Sequence, residues 1–328
     1  FSVDVATGQA AVVVGEHSNG GVSVAAGPRL VFTQDSMTSP AEIFSCRLDG
    51  TDLRRLTGVN DARVAATVMS TPEEFWFKGA RDEKVHGWIL KPVGYQAGRK
   101  YPLAFLIHGG PQGAWTDHFH YRWNAQAYAG AGYATAMIDF HGSTGYGQSF
   151  TDAIRGDWGG KPFEDLMKGL DHILASYDYV DGTRMGALGA SYGGYMVNWI
   201  AGHTDRFKCL VSHDGELDIK SSYFTTEELW FPEWEFGGPP WEKKTPYEHF
   251  SPGEYVAQWK TPMLVIHGAR DFRLVETEGF AVFTALQRRG IPSKLLYFPD
   301  ENHWVLKAKN SILWHDTVIG WLDQWLKK

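Results

Sequence analysis

Residues Gly189-Ala190-Ser191-Tyr192-Gly193 set a serine between two glycines, after the apolar run 185–188 and before the helix-forming run 196–201. Gly-x-Ser-x-Gly at a strand-to-helix junction is a nucleophile elbow, a turn so sharp that the serine backbone is strained and its hydroxyl stands clear of the sheet. Side chains at Gly189 or Gly193 would collide with the neighbouring backbone. The first amides of the following helix point at whatever the serine attacks.

The downstream partners come in a telling order. Residues 261–268 form a short apolar, β-branched run closed by glycine, the pattern of a buried parallel strand, and Asp271 follows in the next loop. Residues 294–299 give another strand, and His303 follows in residues 300–304. Ser, Asp, then His, each just past a strand's carboxyl end, is the order of the α/β-hydrolase triad. A serine hydroxyl attacks poorly until a base takes its proton. An imidazole can do so near neutral pH, and a carboxylate holds its tautomer and steadies the imidazolium. The nearest rival acid is Asp300, which precedes His303 in the same loop. His267 ends a strand and reads as a packed side chain, and His315 lies within a helix. The oxyanion site is expected from residues 106–111, where paired glycines follow a strand: the amides of Gly110 and Tyr192 should hold the developing charge, with His108 structural.

The coarse pattern predicts antiparallel entry strands at 74–79 and 84–90. Parallel strands follow at 103–107, 134–139, 184–188, 209–212, 263–267 and 294–298. Helical runs at 163–176 and 276–289 lie between them, and a last helix carries Ile312, Ile319, Leu322 and Leu326 beside Trp321 and Trp325. That alternation is a doubly wound, mostly parallel sheet, an α/β-hydrolase fold. Ligands of such sheets bind outside the strands' carboxyl ends, where all three triad residues fall. Residues 1–70 read differently, with short β-like runs at 11–14, 29–33, 39–44 and 49–57 broken by Gly, Asn and Pro. The expected division is a β-rich segment over 1–70 and a catalytic domain over 71–328.

Bulk properties narrow the classes. With 43% hydrophobic residues, the 328-residue chain has material for a sizeable core, yet no stretch approaches the roughly 20 apolar residues of a membrane span. The net charge of −7 is spread along the chain without the basic clusters that nucleic-acid binding needs. Neither a membrane nor a nucleic-acid partner is therefore expected. Cys46 and Cys209 are too few for a disulfide framework, and Cys209 falls in an apolar strand as a buried thiol. His118-Phe119-His120 is the one close histidine pair and reads as structural, so no metal and no cofactor is expected.

Four segments carry a family resemblance: residues 108–111 (His-Gly-Gly-Pro), 138–147, the elbow with its Gly-Gly-Tyr-Met tail, and the aromatic stretch 226–238. With Asp271 and His303, they make the chain from about residue 71 onward similar to the prolyl oligopeptidase family of serine peptidases, and within it to the dipeptidyl and acylaminoacyl peptidases. The resemblance implies hydrolysis of short peptides near the amino terminus through an acyl-enzyme. It carries the pocket for the residue before the cut onto Tyr192, Phe224, Trp230 and Leu274, an apolar lining, with Trp234 and Phe236 read as core. Glu227 and Glu228 are candidates to meet a substrate's amino terminus or to be a solvated helix start. Relatives carry a β-propeller ahead of the hydrolase domain, and residues 1–70 look like the end of one. A whole propeller cannot fit in about 70 residues, so a fragment or processed product of a longer chain is expected over a naturally shortened one. The partners that follow are a peptide substrate, an N-terminal propeller portion and a second copy in a homo-oligomer. A carboxylester hydrolase of the same fold is the alternative activity.

Overall fold

The computed structural model describes residues 1–327; Lys328, the last residue of the expected catalytic domain, lies outside them. Eight strands form the main sheet: β1 (Pro72–Lys78), β2 (Lys84–Leu90), β3 (Tyr101–Ile107), β4 (Ala134–Asp139), β5 (Val180–Ala190), β6 (Cys209–His213), β7 (Met263–Gly268) and β8 (Ser293–Phe298). They lie in the order β8-β7-β6-β5-β3-β4-β2-β1. β1 pairs antiparallel with β2, and β2 antiparallel with β4; the remaining pairs are parallel. This is the doubly wound, mostly parallel sheet of the α/β-hydrolase fold.

Its central strands carry apolar runs because both faces are covered. Along β3, Leu103, Phe105 and Ile107 face one core with Leu166, Leu170, Val197, Ile200, Val282 and Leu286. Ala104 and Leu106, pointing the other way, face a second core with Tyr128, Trp314, Val318 and Leu322. Period-two alternation thus feeds two helical layers from one strand. β5 begins earlier than its apolar run predicts. It starts at Val180, and its register against β3 shifts between Val180 and Met185, so the polar residues 181–184 are extra length that does not read as strand.

The last helix, Ala308–Leu326, buries Trp314, Val318, Trp321, Leu322 and Leu326. Ile312, grouped by the sequence with the apolar positions, is 63% exposed. It stands two residues before Trp314, about 200° round the helix axis, and so faces solvent.

Residues 18–55 form a separate antiparallel sheet of four consecutive strands, Ser18–Ala25, Arg29–Ser36, Ser39–Arg47 and Arg54–Arg55. A two-residue pair, Ser2–Val3 with Ala10–Ala11, precedes it, where a longer strand at 11–14 was expected. This sheet docks on the loop after β3. Met37 is buried with Trp88 and Trp123, and its amide donates to Asp117 Oδ1 at 2.7 Å. Asp35 accepts from the Phe119 amide at 2.7 Å and pairs with His118 Nδ1 at 2.6 Å. His120 Nδ1 instead accepts from the amides of Arg122 and Trp123, so the two histidines serve loop structure separately. Cys46 and Cys209 are both buried free thiols.

The buried face of the last helix is directly testable. Leu322→Ala should cost about 2–5 kcal/mol, and Ile312→Ala no more than about 0.5 kcal/mol, read from denaturant midpoints. Equal losses would contradict the assigned face.

Candidate active site

Ser191 sits between β5 and the helix Tyr192–His203 with φ 60° and ψ −125°. Such a conformation costs a non-glycine residue about 1–3 kcal/mol and persists only where the surroundings enforce it. The Ser191 amide is held by His213 O at 3.1 Å and by Asp214 Oδ1 at 2.7 Å. A Cβ on Gly189 would run into the Gly193 backbone, and one on Gly193 into the carbonyl of Ile107. The glycines therefore let the elbow press against the end of β3.

Asp271 and His303, the expected acid and base, are brought together beside the elbow. His303 Nδ1 donates to Asp271 Oδ2 at 2.7 Å, while Asp271 Oδ1 takes the amides of Arg273 and Leu274 at 3.0 Å each. The carboxylate is thereby oriented by its own turn, and a neutral His303 so bonded keeps Nε2 as its acceptor nitrogen. Burial works against protonating His303, but the charge of Asp214, then the hydrogen bond and charge of Asp271, outweigh it and raise the imidazole's pKa. The rivals are engaged elsewhere. Asp300 is ion-paired with Lys307 and accepts from Asn310. His267 is fully buried with Nε2 donating to Leu274 O at 2.7 Å, and His315 bonds back to Ser311 O within its helix.

Ser191, His303, Gly109, Gly110 and Tyr192 line one cleft of about 530 Å³. His108 also lines that cleft and is held in its wall: it stacks on Phe140 at 4.2 Å and bonds Ser143 Oγ at 2.8 Å. Burial lowers its pKa, which keeps it neutral. Residues 138–147 brace the same wall. Asp139 Oδ1 accepts the Trp115 amide at 2.7 Å, and its Oδ2 accepts from Tyr146 at 2.6 Å and pairs with His86 Nδ1 at 2.9 Å. The aromatic stretch contributes Glu235, buried, which takes Gln112 Nε2 and Trp158 Nε1 at 2.7 Å each. Two motifs remote in sequence thus hold the glycine loop in place.

Of the expected pocket residues, Tyr192, Trp230 and Leu274 line the cleft and Phe224 does not. In the helix Ile219–Tyr223, capped by Asp218, the residues Ile219, Ser222 and Tyr223 share the cleft side. Phe224 is one step, about 100°, further round; it is 61% exposed and stacks on Trp241. Tyr223, its neighbour, lines the cleft in its place. Trp234, read as core, is 52% exposed beneath the Arg155 guanidinium at 4.0 Å, whereas Phe236 is buried. Glu228 lines the cleft and lies 3.2 Å from Arg273 Nε, with Glu227 3.8 Å from the same atom.

Two acidic residues of the site escaped the sequence reading. Asp214 and Glu216 directly follow β6, where a doubly wound sheet places its ligands, and that position was the available signal. Glu216 lines the cleft yet is almost wholly buried. Burial, opposed by a Ser222 hydrogen bond and reinforced by the charges of Glu278 and Asp218, pushes its pKa from 4.5 up to about 8. The folded chain therefore keeps a proton that the unfolded chain loses near pH 4.5. The associated stability is complete below that pH and is lost as pH rises through about 8. Glu216→Gln should leave Tm little changed near pH 4.5 and raise it near pH 8, by on the order of several degrees. Thermal melts at both pH values check this; a pH-independent difference would refute it.

Known proteins share this architecture. Residues 119–328 match the prolyl oligopeptidase family. Dipeptidyl-peptidase 5 of Schizosaccharomyces pombe is 44% identical over 329 residues, covering 100% of this chain and 48% of that relative. Among solved structures, the Pyrococcus horikoshii acylaminoacyl peptidase aligns with a TM-score of 0.89 at 28% identity, covering 96% of this chain and 50% of that one. An acylaminoacyl peptidase in complex with Z-Gly-Gly-Phe-chloromethyl ketone aligns with the same TM-score, identity and coverage. The chain thus spans about half the length of these relatives.

Proposed function

The chain belongs to the prolyl oligopeptidase family, and from that premise we propose that it is the catalytic part of a serine peptidase cleaving short peptides near the amino terminus, of the dipeptidyl- or acylaminoacyl-peptidase type. The observation that carries the reading is the 2.7 Å bond from His303 to Asp271 in the cleft that also holds the strained Ser191. In this mechanism His303 Nε2 takes the Ser191 proton as Oγ bonds to the scissile carbonyl carbon. Asp271 steadies the imidazolium, and the amides of Gly110 and Tyr192 receive the oxyanion. The imidazolium then protonates the leaving amine, and water, activated by the same imidazole, releases the acyl group.

Support for a peptide substrate comes from the aromatic and apolar side chains in the cleft, Tyr223, Trp230, Phe231 and Leu274, and from the relatives' names. The peptide-like chloromethyl ketone bound by one relative points the same way. The same proposal extends to a longer protein in which a propeller would precede this domain; residues 18–55 have the four-stranded antiparallel form of a single blade.

A fluorophosphonate should label Ser191 alone, and Ser191→Ala should lower kcat by several orders of magnitude while the fold persists. Dipeptide amides with free and with blocked amino termini, a longer peptide and a short-chain ester, tried on this chain and on a full-length relative, separate peptidase from esterase. Ester cleavage with no amide cleavage in both would leave the esterase reading standing.

The base must be neutral to act, and its pKa is raised, so kcat/KM should climb with pH through a single group at or above about 6.5. Asp271→Asn should cost far more than Asp300→Asn, whose carboxylate is spent on Lys307. Greater damage from the Asp300 change would reassign the acid.

A further inference from the structure

The end of β6 carries a carboxylate that the triad does not use. Asp214 follows His213 with φ 39° and is 1% exposed. Its Oδ1 accepts the Ser191 amide at 2.7 Å. Its Oδ2 lies 3.4 Å from His303 Nδ1, the atom that donates to Asp271 at 2.7 Å. The two carboxylates leave the ends of adjacent parallel strands, β6 and β7, with His213 beside Ile266. The imidazole N–H therefore faces oxygens from both.

We propose that Asp214 is a positioning residue of this centre, a second carboxylate that steadies the His303 imidazolium through one oxygen while its other oxygen fixes the backbone of the nucleophile. The inference rests on the serine-hydrolase reading of the triad. Its central observation is that Asp214 Oδ2 is buried and has no hydrogen-bond partner among the described residues. A buried oxygen left so is costly unless it meets a charge. The positive charge needed arises when His303 takes the Ser191 proton. An acceptor unsatisfied in the resting state and compensated in the charged one is preorganised for the transition state.

Among the described residues, no other group brings a positive charge within hydrogen-bond reach of that oxygen. His213 Nε2 is 3.3 Å from the same oxygen, but burial lowers its pKa to about 4 and leaves it neutral near pH 7. His267, from β7, is bonded to Leu274 O. Arg122, from the loop after β3, interacts with Asp214 through charge alone, and Arg273, from the loop after β7, opposes protonation of His303. Glu216, two residues beyond Asp214, is raised to about 8 and is mostly protonated near pH 7.

Fluorophosphonate labelling of Ser191, timed between about pH 5 and pH 9, tests the role without a peptide substrate. In Asp214→Asn the amide oxygen can still accept from Ser191, so a brace for the elbow alone predicts an unmoved acid limb. The proposal predicts a limb moved down by about one pH unit. It also predicts that Asp271→Asn, with Asp214 still facing the imidazole, labels at least roughly tenfold faster than His303→Ala, and that Asp271→Asn/Asp214→Asn falls to the His303→Ala rate. An unmoved limb overturns the proposal. Should Asp214→Asn fail to fold, the comparison of Asp271→Asn with His303→Ala decides, and equal rates overturn it. If wild-type Ser191 is not labelled, the serine-hydrolase reading itself fails; if it is labelled and these shifts are missing, only the role of Asp214 does.

Discussion

Three backbones meet at the elbow with no side chain between them, and the active site depends on that contact. A Cβ on Gly193 would strike the Ile107 carbonyl, and a Cβ on Gly194 would strike that of His213. The helix N-terminus is thus wedged between the ends of β3 and β6. Each of those strands runs straight on into a segment of the candidate site: Ile107 into His108-Gly109-Gly110, and His213 into Asp214. Ser191, the glycine loop and Asp214 are consequently located by one packing event. The strain at Ser191 is sustained because relieving it would require β3 or β6 to move, and both are paired on each side within the sheet.

Around this contact, buried carboxylates act as fasteners. Asp139 ties Trp115, Tyr146 and His86. Asp165 takes the amide and Nδ1 of His141 and the Ala80 amide. Glu235 joins Gln112 to Trp158. Each unites residues far apart in sequence at or near the carboxyl end of the sheet. Burying a charge is expensive and is offset only when its oxygens are filled. Such groups add little net stability, but a loop that leaves its carboxylate unpaired is strongly disfavoured. That asymmetry explains how long connections after β3, β4 and β6 can hold a single geometry at the cleft.

The same asymmetry marks what could be read from the residues. The elbow, Asp271 and His303 were legible because each follows an apolar strand closed by glycine or a turn, a local pattern with one chemical use. The central strands were legible because burial on both faces leaves an unbroken apolar run. Phe224 was misplaced because a helix step of about 100° decides whether an aromatic enters a cleft or lies on its rim, and the cap at Asp218 that sets the phase is one residue among many polar ones. Trp234 escaped because an arginine stacked on its exposed face can take the place of a core. Asp214 and Glu216 escaped because a carboxylate's partner, whether His303 or a desolvated wall, is fixed by tertiary structure.

The small antiparallel sheet and the cleft are linked through one loop. Residues 115–123 carry the contacts that dock residues 17–37, through Asp117 with His17 and the Met37 amide and through Asp35 with Phe119 and His118. The same loop supplies Trp115, His120, Arg122 and Trp123 to the cleft lining. Trp115 donates its amide to Asp139, so the loop is pinned at its start by the catalytic domain and at its middle by the sheet. A displacement of the sheet therefore reaches the cleft through side chains that already form its wall. The β-rich segment is thus placed to shape what enters the cleft.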